Sequence, residues 1–248
     1  MNQSFYIGAV GAQQQQSSLN VQGNNIANVN TYGYKAQKSR FSALMYQNMQ
    51  GIDGAELPAG TGARMLMTST DFAPGAVAST GRSLDYMIEG DGFFGLADLQ
   101  TGEVTFTRNG AFTIAELQRD SGEVDENGQP VLESVWYLSD GDGRFVVSDR
   151  GGLIEVEDES AVQPIGIFDY INYDGMEHLG GTRFLPVDKN GNLAIGTGTL
   201  HQGMLELSNV DLAEEITKVI ESQRMYSMAL KIVQTSDEIE TTVNGLRT

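Results

Sequence analysis

Phe5, Ala12, Leu19 and Ile26 stand seven residues apart, and a repeat of that period suits an α-helix that turns a narrow stripe toward another helix. The half-heptad positions hold the small or polar Ala9, Gln16 and Gly23. No proline interrupts Gln3 to Val29, and Asn30, Thr31 and Gly33 offer an end, so the spacing predicts a helix about 40 Å long at roughly 1.5 Å per residue. Its outer face, Gln13 to Gln16 with Ser17 and Ser18, is polar without charge. Such a run fits a solvated face or a disordered tail as well as a packing surface.

The other end carries a second long helical pattern. Asp211-Leu-Ala-Glu214 has the spacing of a capping box, in which the aspartate accepts from first-turn amides and the glutamate reaches back. Leu212, Ile216, Val219, Tyr226, Leu230 and Val233 then follow steps of four and three, with Gln223 at the one polar position. Met225, Ala229, Ile232, Ile239, Val243 and Leu246 form a stripe beside them. Two stripes imply more than one neighbouring helix. A helix buried against its own domain would show the same period, but about 35 residues run roughly 50 Å, past the edge of a small domain.

Between the ends, turn signals recur at Glu89-Gly-Asp-Gly92, Gln100-Thr-Gly102, Arg108-Asn-Gly110, Glu126-Asn-Gly128, Asp140-Gly-Asp-Gly143 and Lys189-Asn-Gly191. They separate short apolar or alternating runs, which predicts strands near 84–88, 105–107, 135–138, 145–147, 153–156 and 165–170. Residues 50–80, rich in Gly, Ala, Ser and Thr with Pro58 and Pro74, read as an extended arm. The expected fold class is therefore α+β. Terminal helices over 1–31 and 203–248 form a coiled-coil domain, an arm covers 32–80, and an all-β domain over 81–202 is inserted between them.

Composition narrows the chemistry. The formal charge of −18 repels phosphate backbones, so no nucleic-acid partner is expected. Met1 to Ile52 contains Lys35, Lys38 and Arg40 and no acid; the acidity belongs to the middle and the C-terminal end. With no cysteine in 248 residues, thiol catalysis, disulfides and cysteine metal sites are excluded. No run approaches the roughly 20 apolar residues of a membrane span, and the start has no signal-peptide pattern. A soluble chain without a cleaved signal or membrane insertion is expected.

Gly90-Asp-Gly92-Phe-Phe-Gly95 matches GxGxxG, but no helix start follows, and Asp91 would repel a pyrophosphate; a tight hairpin is the better reading. Asp140 and Asp142 imitate the start of a calcium loop whose fifth and twelfth positions are Arg144 and Gly151, the wrong donors. His178 and His201 lie far apart, with no carboxylate at a motif spacing. No catalytic, metal-ligating or cofactor-binding residue and no cofactor is predicted.

Three segments carry a resemblance. Asn24-Asn-Ile-Ala-Asn-Val-Asn-Thr-Tyr-Gly-Tyr-Lys35 is similar to the N-terminal signature of flagellar rod and hook proteins. Gly203-Met-Leu-Glu-Leu-Ser-Asn-Val-Asp-Leu212, followed by Gln223-Arg-Met-Tyr226, resembles their C-terminal one. Thr80-Gly-Arg-Ser-Leu-Asp-Tyr-Met-Ile-Glu-Gly-Asp-Gly-Phe-Phe94 with Phe106-Thr-Arg-Asn-Gly110 resembles the rod β-region.

The resemblance implies a non-enzymatic subunit of the bacterial flagellar basal body. Such a subunit passes through the flagellar type III export apparatus, then polymerises with itself and other axial rod and hook proteins into the periplasmic drive shaft. Proximal and distal rod positions both fit; a hook-type subunit, or an adhesin or fibre unrelated to the flagellum, are the alternatives. Heptad spacing nominates Phe5, Ala12, Leu19, Ile26, Leu212, Ile216, Val219, Tyr226, Leu230 and Val233 as assembly-interface residues. Asn24, Asn25, Asn28, Asn209 and Arg224 are expected to set register there by hydrogen bonding.

Overall fold

The computed structural model describes residues 3–44, 46–50, 56–60, 62–124 and 130–246. The chain divides into two compact units: Met1–Val29, Ala36–Asp71 and Val210–Thr248 make up the first, Asn30–Lys35 and Phe72–Asn209 the second.

The first unit contains both long helices, α1 (Gln3–Ala27) and α2 (Leu212–Gly245). α2 starts at Asp211, whose carboxylate accepts from the amides of Ala213 at 2.9 Å and Glu214 at 3.2 Å. The Glu214 carboxylate is taken up by Lys218, four residues on, at 2.8 Å. At the end of α1 the Asn24 carbonyl accepts from both the side-chain amide of Asn28 at 2.8 Å and its backbone N–H at 3.2 Å. Four strands follow α1: β1 (Gln37–Ala43), β2 (Tyr46–Gln50), β3 (Glu56–Gly60) and β4 (Ala63–Thr70). β2 pairs with β3, and β1 pairs antiparallel with β4 from Gln37↔Thr70 to Ala43↔Ala63, with a bulge between Arg40 and Phe41. The β1–β4 ribbon lies on α1. Ser39 and Ser18 hydroxyls meet at 3.2 Å, Asn25 exchanges two hydrogen bonds with the Gln37 backbone at 2.8 and 2.9 Å, and the Met65 amide donates to Gln14 Oε1 at 2.7 Å.

This arrangement overturns the expected coiled-coil domain around an inserted all-β domain. Among the described residues there are two α-helices, and they share their unit with β1–β4. Of the apolar repeats Leu212, Ile216 and Leu230 are exposed and only Ala12 is buried, so these residues do not close a knobs-into-holes seam between the two helices. The strand-rich unit is not an all-β insert either, because it takes in residues 30–35 and a 3-10 turn at Asp188–Asn190.

The second unit is built from short strands. β5 (Val77–Ser79) and β6 (Tyr86–Glu89) pair outside the main sheet. The main sheet draws on β7 (Phe93–Ala97), β8 (Val104–Thr107), β9 (Thr113–Val124), β10 (Pro130–Ser139), β11 (Phe145–Val146), β12 (Ile167–Asp169), β13 (Glu177–Leu179), β14 (Arg183–Leu185) and β15 (Ala194–Ile195). Its order is β13-β14-β8-β7-β11-β10-β9, with β12 joining β7 to β15. β16 (Thr199–Gln202) pairs with β6, and β17 (Met204–Glu206) with β5.

β7 lies inside the sheet, and its alternating side chains feed two cores. Phe94 and Leu96 pack with Tyr86, Phe112, Leu138 and Val146, while Phe93 packs with Phe106, Phe168 and Phe184. The GxGxxG segment is thus half turn and half strand. Gly90 and Gly92 hold positive φ (100° and 125°), and Phe93 already belongs to β7. The expected hairpin there is instead a passage between sheets, because β16 occupies β6 as its partner. The turn predicted at Glu126-Asn-Gly128 lies outside the described residues.

Candidate functional site: assembly surfaces

Small and polar side chains line much of the contact between α1 and α2, with Val233 and Ile232 packed at Gly8. Ser4, Gly8, Gly11, Gln15, Ser18, Gln22 and Asn25 alternate steps of four and three along α1, and Glu215, Ser222, Ala229 and Ser236 recur every seven residues on α2. The helices run antiparallel: Ser4 meets Ser236 at 3.3 Å, Gln22 donates to Ser222 at 2.9 Å, and Asn25 donates to Glu215 at 3.2 Å. At Gly8 the approach is so close that a Cβ would lie 3.0 Å from Val233 Cγ2 and 3.2 Å from the Ala229 carbonyl. A larger residue would push the helices apart.

With a small-residue seam inside, bulk remains outside. On α2, Met228 is 62% exposed, Ile232 51%, Ile239 52% and Val243 57%. Met225, Met228, Ile232, Ile239 and Leu246 fall at heptad spacing with Thr235 and Thr242 filling the gaps. This is a nearly continuous apolar stripe along a 34-residue helix. Isolated exposed apolar residues are ordinary; a contiguous row of them marks an interaction surface.

The nominated residues separate into groups. Ala12 is buried, Phe5, Leu19, Ile26, Val219, Tyr226 and Val233 are half-buried, and Leu212, Ile216, Leu230, Asn24 and Arg224 are exposed. Asn25 is fully buried and engaged within the unit by Gln37 and Glu215. Asn28 bonds Asn24, and in the second unit Asn209 donates to the Ala73 carbonyl at 3.0 Å.

The second unit hides a cluster that periodicity does not signal. Glu206, on β17, is buried with Lys35 and Arg108. Lys35 Nζ sits 2.6 Å from Glu206 Oε1 and donates to the Ala73 carbonyl at 2.8 Å, and the Gly75 amide donates to the same carboxylate oxygen at 2.8 Å. Arg108 reaches Glu206 Oε2 at 3.4 Å, donates to the Gly90 carbonyl at 2.7 Å, and places its guanidinium over the Phe93 ring. Gly33, at φ 67°, lies against Asn109, where a Cβ would come within 2.3 Å of the backbone nitrogen. All three family-like segments contribute to this cluster. The clue in the sequence was Lys35, a cation in a stretch with no acid; its partner is 171 positions away.

A recess of about 310 Å³ in the first unit is lined by Gln22, Gln37, Lys38, Ser39, Glu214, Glu215 and Lys218, with Val21. Its charges are engaged: Lys218 holds both glutamates at 2.8 Å, and Lys38 pairs with Asp71 at 2.6 Å. Among the described residues no three His, Cys, Asp or Glu side chains come together as metal donors. Asp140 accepts from the Asp142 and Arg144 amides within its own turn. His201 faces Glu89 at 2.7 Å, whereas His178 lies against the Phe184 ring, and burial holds its pKa below the ordinary value. No helix among the described residues is long and apolar enough to cross a membrane.

Comparison with known proteins agrees at both ends and along the whole chain. Residues 5–35 match the family described as flagella basal body rod protein, and residues 201–246 match the flagellar basal body rod FlgEFG protein C-terminal family. The flagellar basal-body rod protein FlgG of Buchnera aphidicola subsp. Schizaphis graminum is 32% identical over 95% of this chain and 96% of its own. FlgG of Bacillus subtilis is 32% identical over 96% of this chain and 97% of its own. FlgF of Caulobacter vibrioides is 28% identical over 96% of this chain and 95% of its own.

Proposed function

The chain belongs to the flagellar basal-body rod protein family, and from that premise we propose that it is a structural rod subunit whose terminal helices polymerise through their outer, apolar faces. The observation that carries this is the exposed stripe of α2 from Met225 to Leu246, beside a partner helix whose contact surface is already filled by small residues. A second and a third copy provide the missing cover. Phe5, Leu19 and Ile26 on α1, with Leu212, Ile216 and Leu230 on α2, extend the surface available to neighbours. Asn25 and Ala12 act one step earlier, by setting the spacing of the helix pair.

The chain assembles with other rod components and acts without catalysis. It reaches the rod through the flagellar export apparatus, without inserting in the membrane and without nucleic acid. Family membership supports the export route, and the charge of −18 supports the last point. Relatives named FlgG and FlgF both align over nearly the full length, which is compatible with either a distal or a proximal place in the rod.

The test compares concentrated full-length protein with a chain ending at residue 210, by sedimentation and electron microscopy. Full-length protein is expected to form sedimenting, elongated particles and the shortened chain none. Equal behaviour of the two would remove the helices from the proposal.

A further inference from the structure

We propose that the outer face of the β1–β4 ribbon docks on the acidic second unit of another copy of this chain. This inference rests on the assembly reading and adds to it a polar contact made outside the helices.

The face follows from strand alternation. Ser39 turns toward α1, where it meets Ser18, so Lys38 and Arg40 turn away. The pairing places Met67 opposite Arg40 and Arg64 opposite Ser42, on the same outer side. Lys38, Arg40, Arg64 and Met67 are all exposed. Lys38 is paired with Asp71, but among the described residues neither Arg40 nor Arg64 has an ion-pair partner. β1 and β4 contain these three cations and no acid. Leu66, at the bulge, adds exposed apolar area.

The complementary charge is in the same chain. The second unit holds 23 of the 33 acidic residues and 8 of the 15 basic ones, hence a net −15 of the total −18. Copies packed into one polymer bring such units together, and their mutual repulsion opposes assembly. The guanidiniums of Arg40 and Arg64, set beside apolar side chains, relieve part of it and fix orientation. A phosphate polymer suits the same cations less well, because the rest of the chain repels it.

Two variants test this. Arg40→Glu/Arg64→Glu should leave the monomer's thermal melting unchanged within about 2 °C, since both positions are exposed. It should also lower the sedimentable fraction about tenfold at low salt and abolish the salt dependence seen with the wild type. Arg40→Lys/Arg64→Lys keeps the charge and supplies amines for zero-length carbodiimide cross-linking. In mixtures of isotopically light and heavy chains, mixed-isotope peptides should join residue 40 or 64 to carboxylates within 72–209. Wild-type protein that sediments while the Glu variant sediments equally, or cross-links confined to single chains or to α2, would overturn the inference and leave the helix reading standing. Failure of the wild type to associate at all would remove both.

Discussion

Glu206 illustrates what a single buried charge does here. It is surrounded by Lys35, Arg108 and the Gly75 amide, and replacing it by Gln leaves two buried cations without an anion. The expected loss is about 3–5 kcal/mol in the unfolding free energy of the second unit, read by urea titration. Gly33→Ala should destabilise the same region by at least about 1–2 kcal/mol for the left-handed backbone alone, with the Asn109 clash added. A third test concerns pH. Burial depresses the pKa of His178, so the folded chain prefers the neutral ring. That contribution is complete above the unfolded pKa of about 6.5 and is lost as pH falls below it. Thermal melts between pH 7.5 and 5 should show this decline, and His178→Phe should reduce it. The Glu206 and Gly33 contacts were not legible in the sequence, because they join positions far apart in the chain: Glu206 lies 98 positions from Arg108.

At the scale of elements the sequence was more readable. The helix over 3–29 appears as Gln3–Ala27, Asp211 does cap a 34-residue helix, and the runs at 105–107 and 135–138 fall inside β8 and β10. What periodicity did not reveal is which stripe faces inward. Apolar and small-polar heptads coexist on both helices, and hydrophobicity favours the former as the buried seam. Ser4, Gly8, Ser18 and Gln22 win within the chain because close backbone approach and hydrogen bonds to Ser236 and Ser222 satisfy both helices. Strands β1 to β4 were missed for a related reason: residues 50–80 read as a Gly-, Ala-, Ser- and Thr-rich arm, and most side chains of β1 and β4 are exposed. Opposite outcomes follow for the two stripes. Gly8→Leu should loosen α1, costing about 1–3 kcal/mol with lower helicity by circular dichroism. Met228→Glu/Ile239→Glu should leave monomer stability within about 0.5 kcal/mol per substitution and abolish sedimenting particles.

For the whole molecule, two properties have to be reconciled: a net charge of −18, which favours separate chains, and an apolar stripe on α2, which does not. A rod subunit satisfies both, since the charge keeps the monomer soluble until a growing end offers helices to pack against. Other copies are proposed to cover the outer stripe of α2. Because the chain has no cysteine, Met228→Cys gives a single thiol on that stripe, and its reaction rate with a maleimide can be compared in monomer and in sedimented particles, with the urea-unfolded chain as the reference for full reactivity. The monomer should react within a few-fold of the unfolded chain and the particles at least about tenfold more slowly, in line with the burial expected at an interface core. Equal rates in monomer and particles would contradict the account.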